Sequence, residues 1–389
     1  MKRGNGKMDF RVTEEQELLL EGLREVLKEV ATHEYLKECD DNHAFPQKIA
    51  DAFVEHGFAL LGIPEEYGGT PCDITTQMLV TEEMSKFGVP FPCFSNSLLI
   101  DDILHFGNEQ QKAITMEYAK KGLCAFSLGI TEPGAGSDDS TMMATATRRN
   151  GKVYINAHKT FITEAKQRPY MLCLTRELNA PNPHKAISMW WVDMSKPGVK
   201  VMPWEKIGGN TAPTYEVYLE DVELEEEDLV GVEGEGFMNL MGNFEVERIQ
   251  IAAGVLGWAE AAFEDAAVYA NQRVQFGKPI GSFQLIQEKI VEMAIKIENM
   301  RNLVYKACWE RENGMSLQIS SATTKYYCVR AANQVIDDAM QIMGGIGYTK
   351  DHRISRLWRD VRNTRFGGGT DEIMIHIAGR AILKKYRNK

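Results

Sequence analysis

The sequence predicts an α+β protein, mostly α, with a helical N-terminal region, a central β region and a C-terminal helical bundle. Three observations predict it. Apolar residues recur at helical spacing over the first 125 residues, short β-branched and aromatic runs separated by turn signals follow, and long amphipathic patterns with short joins close the chain. The boundaries fall at 1–125, 126–240 and 241–389.

The first element is TEEQELLLEGLREVLKEVA, where Leu19, Leu23, Val26, Leu27 and Val30 form one helical face behind a Thr-x-x-Gln capping box. FPQKIADAFVEHGFALLGIPEEYGG repeats the format: a helix stopped near Gly57, a short apolar segment and a Pro/Gly turn. The runs VYINAHKTFITEA, YMLCLTREL, ISMWWVDM, VKVMPWEKIG and YEVYLEDVEL then read as strands ending near Glu235, divided by Asn-Gly, Pro-Asn-Pro and Pro-Gly turns. Three long helices come next, the third from Ser316 to about Met343.

At 389 residues, 44% hydrophobic and 25% charged, the chain can bury a large core. A net charge of -11 with no basic block repels a nucleic-acid backbone or an anionic membrane, so small molecules and proteins are the expected partners. Seven cysteines (Cys39, Cys72, Cys93, Cys124, Cys173, Cys308, Cys328) are scattered without a CxxC pair, and the eight histidines show no metal spacing. Neither a disulfide framework nor a metal site is expected. The N-terminus runs into charged residues without an apolar segment, and runs such as ISMWWV are too short to span a bilayer. The expected location is cytoplasmic.

Several stretches carry chemistry, each with a plainer reading beside it. ITEPGAGSDD (130–139) is a Gly-rich turn offering the hydroxyls of Thr131 and Ser137 and free backbone N–H groups, either a ligand cradle or an ordinary turn. It lacks the third glycine and following helix of a dinucleotide fingerprint. HKTFITEA (158–165) sets Phe161 and Thr163 on one strand face, where they flank a flat heteroaromatic ring or form a half-buried strand. NFEVERIQIAAG (243–254) sets Glu247 and Arg248 among apolar neighbours: a buried acid suited to proton transfer, or a solvated pair. NQRVQFGKPIGSFQLIQ, QIMGGIGYTKD and RFGGGTDEIM add glycine-rich joins. Three consecutive glycines imply a turn, a close approach or a place where a side chain would obstruct.

In their order, ITEPGAGSD, KTFIT, ERIQIAAGVLG, QRVQFGKPIGSFQLIQ, QIMGGIGY and GGGTDEIM, with GFALLGIPEEYGG ahead of them, resemble the acyl-CoA dehydrogenase family over essentially the whole chain. The resemblance implies an N-terminal α domain, a central β-barrel or sandwich domain and a C-terminal four-helix bundle holding FAD. It implies that Thr131 and Thr163 bond the flavin ring and Phe161, where the family usually has Trp, packs on it. Ser137 would meet the CoA pyrophosphate region, and Phe244 and Arg248 would border the substrate. Arg273 and Phe276 would reach the FAD of a neighbouring subunit, with Gln341, Gly345 and Thr370 on its adenosine side. Glu372 stands where the family commonly has Gln.

Many family members carry a catalytic glutamate where this chain has Gly368, and a second branch carries it on the bundle helix at the position of Glu247. The resemblance therefore implies Glu247 as the base and the Gly368 N–H as donor to the thioester oxygen, for interconversion of an acyl-CoA and its trans-2-enoyl-CoA. VDMSKPGVKV, FEDAAVYANQRVQFG, SFQLIQEK and HRISRLWRD are similar to the crotonobetainyl-CoA reductases of carnitine metabolism. An electron-transfer flavoprotein as partner and a homotetramer are further implications. The alternatives are another short, branched or aryl acyl-CoA as substrate, an oxidase, or a silent flavoprotein scaffold.

Overall fold

The computed structural model describes residues 11–90, 96–178, 180, 182 and 186–387. The first ten residues, Cys93 and most of the Pro-Asn-Pro turn lie outside the described residues. Helix α1 (Glu14–Val30) opens with the reciprocal cap its sequence predicts: the Gln16 N–H donates to the Thr13 hydroxyl, and the Thr13 N–H donates to the Gln16 side chain. Its buried face, Leu20, Leu23, Val26 and Leu27, packs with α2 (His33–Asp41), α3 (Gln47–Glu55) and α4 (Ile74–Lys86) around Leu36, Ile49 and Phe53. Helices α5 (Asn96–Phe106) and α6 (Glu109–Ala119) complete this region.

Among the described residues eight strands follow: β1 (Phe126–Gly129), β2 (Thr145–Arg149), β3 (Lys152–Thr163), β4 (Tyr170–Arg176), β5 (Ile187–Asp193), β6 (Val199–Pro203), β7 (Thr214–Leu224) and β8 (Leu229–Val230). They form two four-stranded sheets, ordered β1-β4-β5-β8 and β2-β3-β7-β6. Alternation along β4 and β5 explains how the layers stack. Met171, Cys173, Trp190 and Val192 meet the second sheet, while Leu172, Leu174, Met189 and Trp191 meet Ile103 of α5 and Leu240. The first sheet is thus buried on both faces, and its far face fastens it to the helices.

The chain then enters α7 (Gly236–Gln272), a small hairpin of β9 (Val274–Gln275) and β10 (Lys278–Pro279), then α8 (Gln284–Glu312), α9 (Ser320–Met343), α10 (Arg353–Asn363) and α11 (Asp371–Tyr386). The third long helix starts at Ser320, later than the Ser316 read from its pattern. The preceding turn itself buries Leu317 in the bundle core, so the apolar spacing begins before the helix does. Residues 246 and 248–259 of α7 are all buried, because the helix packs against α4, α8 and α9 on different sides. A Cβ on Gly257 would stand 2.1 Å from the Glu82 carbonyl oxygen, which marks a close crossing of α4 and α7. That crossing sets where Glu247, nearly three turns earlier, projects. No helix among the described residues is long and apolar enough to cross a membrane.

Candidate active site

The glycine triplet forms the turn between α10 and α11. Gly368 and Gly369 have φ of 62° and 93°, left-handed values that favour glycine. Crowding adds to the requirement. A Cβ on Gly368 would lie 2.5 Å from Ile251 Cδ1 and 3.9 Å from the carboxyl carbon of Glu247. A side chain there would grow toward the space beside the Glu247 carboxylate, so the structure brings Glu247 and Gly368 together. Asp371 closes the turn: its N–H donates to the Arg365 carbonyl at 3.0 Å, and its carboxylate pairs with Arg365 at 2.7 Å. Thr370 caps α11 by accepting from the Ile373 N–H, and Glu372 is exposed in the first turn.

Glu247 keeps part of its surface accessible, yet burial raises its carboxyl above the ordinary range, opposed by the charges of Arg248 and Lys325. Arg248 is buried with its Nε unpartnered, and desolvation lowers its pKa against the pull of Glu247 and Glu245. Two further ionisable groups act electrostatically with the base, and neither was read from the sequence. Lys325 of α9 is fully buried, donates to the Gly369 carbonyl, and is lowered to about 8 by burial. Asp102 of α5 is 4% exposed and is raised to about 7 by burial, against a hydrogen bond from Asn243 and with Glu247 adding to the rise. An acid with a raised pKa beside a turn of glycine backbone N–H groups is an arrangement for moving a proton next to a polarised carbonyl.

The second half of the site lies on the β domain. A register shift between Lys159 and Ile162 interrupts the β3–β7 pairing. It turns Lys159 fully inward and Phe161 outward, 61% exposed with φ of 59°. Trp204 stacks behind Phe161 at 5.6 Å and donates from Nε1 to the Thr160 hydroxyl. The Thr160 N–H donates to the Thr131 carbonyl, which joins the 130–139 turn to β3 and brings Thr131 beside the strand of Phe161 and half-buried Thr163. Beneath this surface Lys159 Nζ pairs with Glu132 at 2.8 Å and also donates to the Ile130 carbonyl, while Glu132 accepts the N–H groups of Met143 and Ala144. The only sequence signal for this pair was its place inside two motifs already singled out. An outward aromatic on strained backbone, flanked by two threonines, fits a flat isoalloxazine face.

The remaining expected contacts lie elsewhere. Ser137 is exposed on the turn, and Phe244 is half-buried against the cluster of Ile103, Leu172 and Trp191. Arg273 and Phe276 stand on the β9–β10 hairpin, Phe276 93% exposed and edge-on to Phe283 at 6.0 Å. Gln341 and Gly345 are exposed where α9 ends.

Comparison with known proteins assigns this architecture. The family models for the acyl-CoA dehydrogenase N-terminal, middle and C-terminal domains match residues 13–121, 127–222 and 234–383. The probable acyl-CoA dehydrogenase YdiO of Escherichia coli strain K12 is 54% identical, covering 98% of this chain and 100% of that protein. The structure of butyryl-CoA dehydrogenase from Megasphaera elsdenii is 32% identical, with a TM-score of 0.88 and coverage of 97% and 100%. A chain of a structure described as electron transferring flavoprotein of Acidaminococcus fermentans is 34% identical, with a TM-score of 0.89 and coverage of 97% and 100%. The chain belongs to the acyl-CoA dehydrogenase family, whose members are FAD-dependent oxidoreductases of CH–CH bonds.

Proposed function

We infer that this member of the acyl-CoA dehydrogenase family interconverts an acyl-CoA and its trans-2-enoyl-CoA with Glu247 as the proton-transfer group. The observation that carries the reading is the Glu247 carboxyl lying beside the bare position of Gly368. When bound, FAD would supply a hydride acceptor at the substrate β-carbon in oxidation and a hydride donor in reduction, and Thr131, Thr163 and Phe161 would hold and face its ring. The Gly368 N–H donates to the thioester oxygen and so acidifies the α-proton. The Glu247 carboxylate removes that proton in oxidation, and its protonated form returns it in reduction. Desolvation favours this acid's neutral form and brings its pKa nearer the working pH, which suits a group that must both give and take a proton.

The acyl tail proposed is that of crotonobetainyl-CoA and γ-butyrobetainyl-CoA, supported by the four stretches similar to crotonobetainyl-CoA reductases. Asp102, a buried acid whose own pKa is raised to about 7 by burial with Glu247 adding to the rise, is the proposed counter-charge for a quaternary ammonium once ionised. The likeness to butyryl-CoA dehydrogenase favours a short uncharged tail as a second reading. The assembly proposed is a homotetramer. In that reading the exposed positions of Arg273, Phe276, Gln341 and Gly345 become contacts to FAD across copies of the chain. An electron-transfer flavoprotein is the proposed redox partner, supported by the structural likeness noted above. The proposed compartment is the cytoplasm, where the six free described cysteines stay reduced.

The test is anaerobic. The purified yellow protein is mixed with γ-butyrobetainyl-CoA, butyryl-CoA and branched acyl-CoAs, and its dithionite-reduced form with the matching enoyl-CoAs. Bleaching or reoxidation by at least one pair is expected, fastest with the betainyl pair. A flavin colour indifferent to every thioester would leave only a scaffold role.

A further inference from the structure

Lys325 has no part in the reaction as written above, and its burial needs a reason. The residue shows no surface to solvent, and Nζ donates to the carbonyl of Gly369, next to the N–H assigned to the thioester. No carboxylate among the described residues forms an ion pair with it. Asp371, the acid of the adjoining turn, is engaged by Arg365 at 2.7 Å and Arg330 at 3.4 Å. An ammonium buried against a carbonyl alone is a destabilising arrangement, and an apolar side chain of similar length would pack there at less cost.

The charges around Lys325 show what the arrangement supplies. Glu247 from α7 is the largest of them, Asp371 from α11 follows, and Arg248 opposes both. In return Lys325 is one of two cations that draw Glu247 toward its ionised form. The other, Arg248, is shared with Glu245 on the same helix. From α5, Asp102 faces Glu247 with like charge. Lys325 is therefore a cation in contact with the glycine turn while acting on the base across from it.

We propose that Lys325 is a positioning residue for the acyl-CoA reaction, tying the glycine turn to α9 so that the Gly368 N–H faces the thioester, and holding Glu247 as a carboxylate. The inference rests on the reading of Glu247 as proton-transfer group. Wild-type bleaching by an acyl-CoA, and its loss in Glu247→Gln, establish that reading separately.

The experiment compares Lys325→Met, Lys325→Gln and Lys325→Arg as FAD-loaded proteins, following the rate of anaerobic flavin bleaching by an acyl-CoA against pH. Removing the cation disfavours the carboxylate, so the acid limb of the profile moves to higher pH. In Lys325→Met the limb is expected about one unit higher, with bleaching on that limb roughly tenfold slower. Lys325→Arg keeps the wild-type limb. Lys325→Gln, which still donates to the Gly369 carbonyl but carries no charge, shows the shifted limb with a smaller loss of plateau rate than Lys325→Met. Should Lys325→Met fail to fold, the Gln and Arg variants decide by the same criterion. Acid limbs unmoved in the uncharged variants, whatever their rates, overturn the proposal and leave Lys325 a packing residue.

Discussion

Two lysines lie fully buried under the two halves of the site, and they are held in opposite ways. Lys159, beneath the strand that turns Phe161 outward, has a carboxylate of its own: Glu132 at 2.8 Å, itself held by two backbone N–H groups. Lys325, beneath the glycine turn, donates to a carbonyl and feels Glu247 and Asp371 without an ion pair to either. The first arrangement is closed, with every charge answered, and serves to lock the 130–144 segment onto β3. The second is open, and its charge is left over to act on Glu247, the group proposed to move the proton. Burial alone therefore does not separate the two lysines; their partners do.

The comparison can be broken at several points. The largest effect is expected at Glu247, where Gln preserves shape and removes the acid-base function. Bleaching by acyl-CoA should fall by roughly 10²–10⁴-fold with the flavin absorbance retained. Turnover near the wild-type rate would move the base elsewhere and dissolve the contrast between the two lysines.

Next in size is Lys159→Met, which strands the Glu132 charge in the interior. Urea denaturation should show a loss of roughly 3–5 kcal/mol. The closed pair predicts that this loss comes without a displaced acid limb in the bleaching profile. A profile that moves as proposed for Lys325 would erase the distinction.

Gly368→Ala tests the turn itself. A left-handed φ of 62° and a Cβ 2.5 Å from Ile251 Cδ1 are both unfavourable, and about 1–2 kcal/mol of stability should be lost by thermal unfolding. Unchanged stability would show that the triplet answers no backbone demand.

The smallest effects are in pH dependence, and the two signs differ. Asp102 is raised to about 7, so between its ordinary range and pH 7 the folded state binds the extra proton and stability falls as pH rises. Asp102→Asn should flatten that fall and be more stable than wild type above pH 7. Lys325 is lowered to about 8, so from pH 8 up to the ordinary lysine range the unfolded state holds the extra proton, and wild type should gain on Lys325→Met as pH rises. Melting curves across pH read both. Parallel profiles would mean that neither group is desolvated as described.

Much of this was legible along the chain because it is local. The Thr13–Gln16 cap, the β-branched and aromatic runs of β4 and β5 and the glycines that turn α10 into α11 depend on residues a few positions apart. The site residues were nameable one by one, and Glu247 carried a weak helical signal that only the vacancy at Gly368 strengthened. The ionisable groups around them were not nameable. Glu132 and Lys159 are 27 positions apart and Lys325 and Gly369 are 44 apart, and no periodicity links such pairs. The bulge that turns Phe161 outward was equally silent, since strict alternation gives no sign of a register shift.

By itself the sequence determined the order of three textures, the cap that opens α1, the helix stop near Gly57 and a chain with a glycine where a loop acid could stand, because these are matters of short-range sterics and apolar spacing. The tertiary structure alone decided which acid meets that glycine, which lysine keeps a free charge and which aromatic is left uncovered. Those outcomes depend on desolvation and on distances between elements, and both exist only once α4, α7, α9 and the sheets have packed.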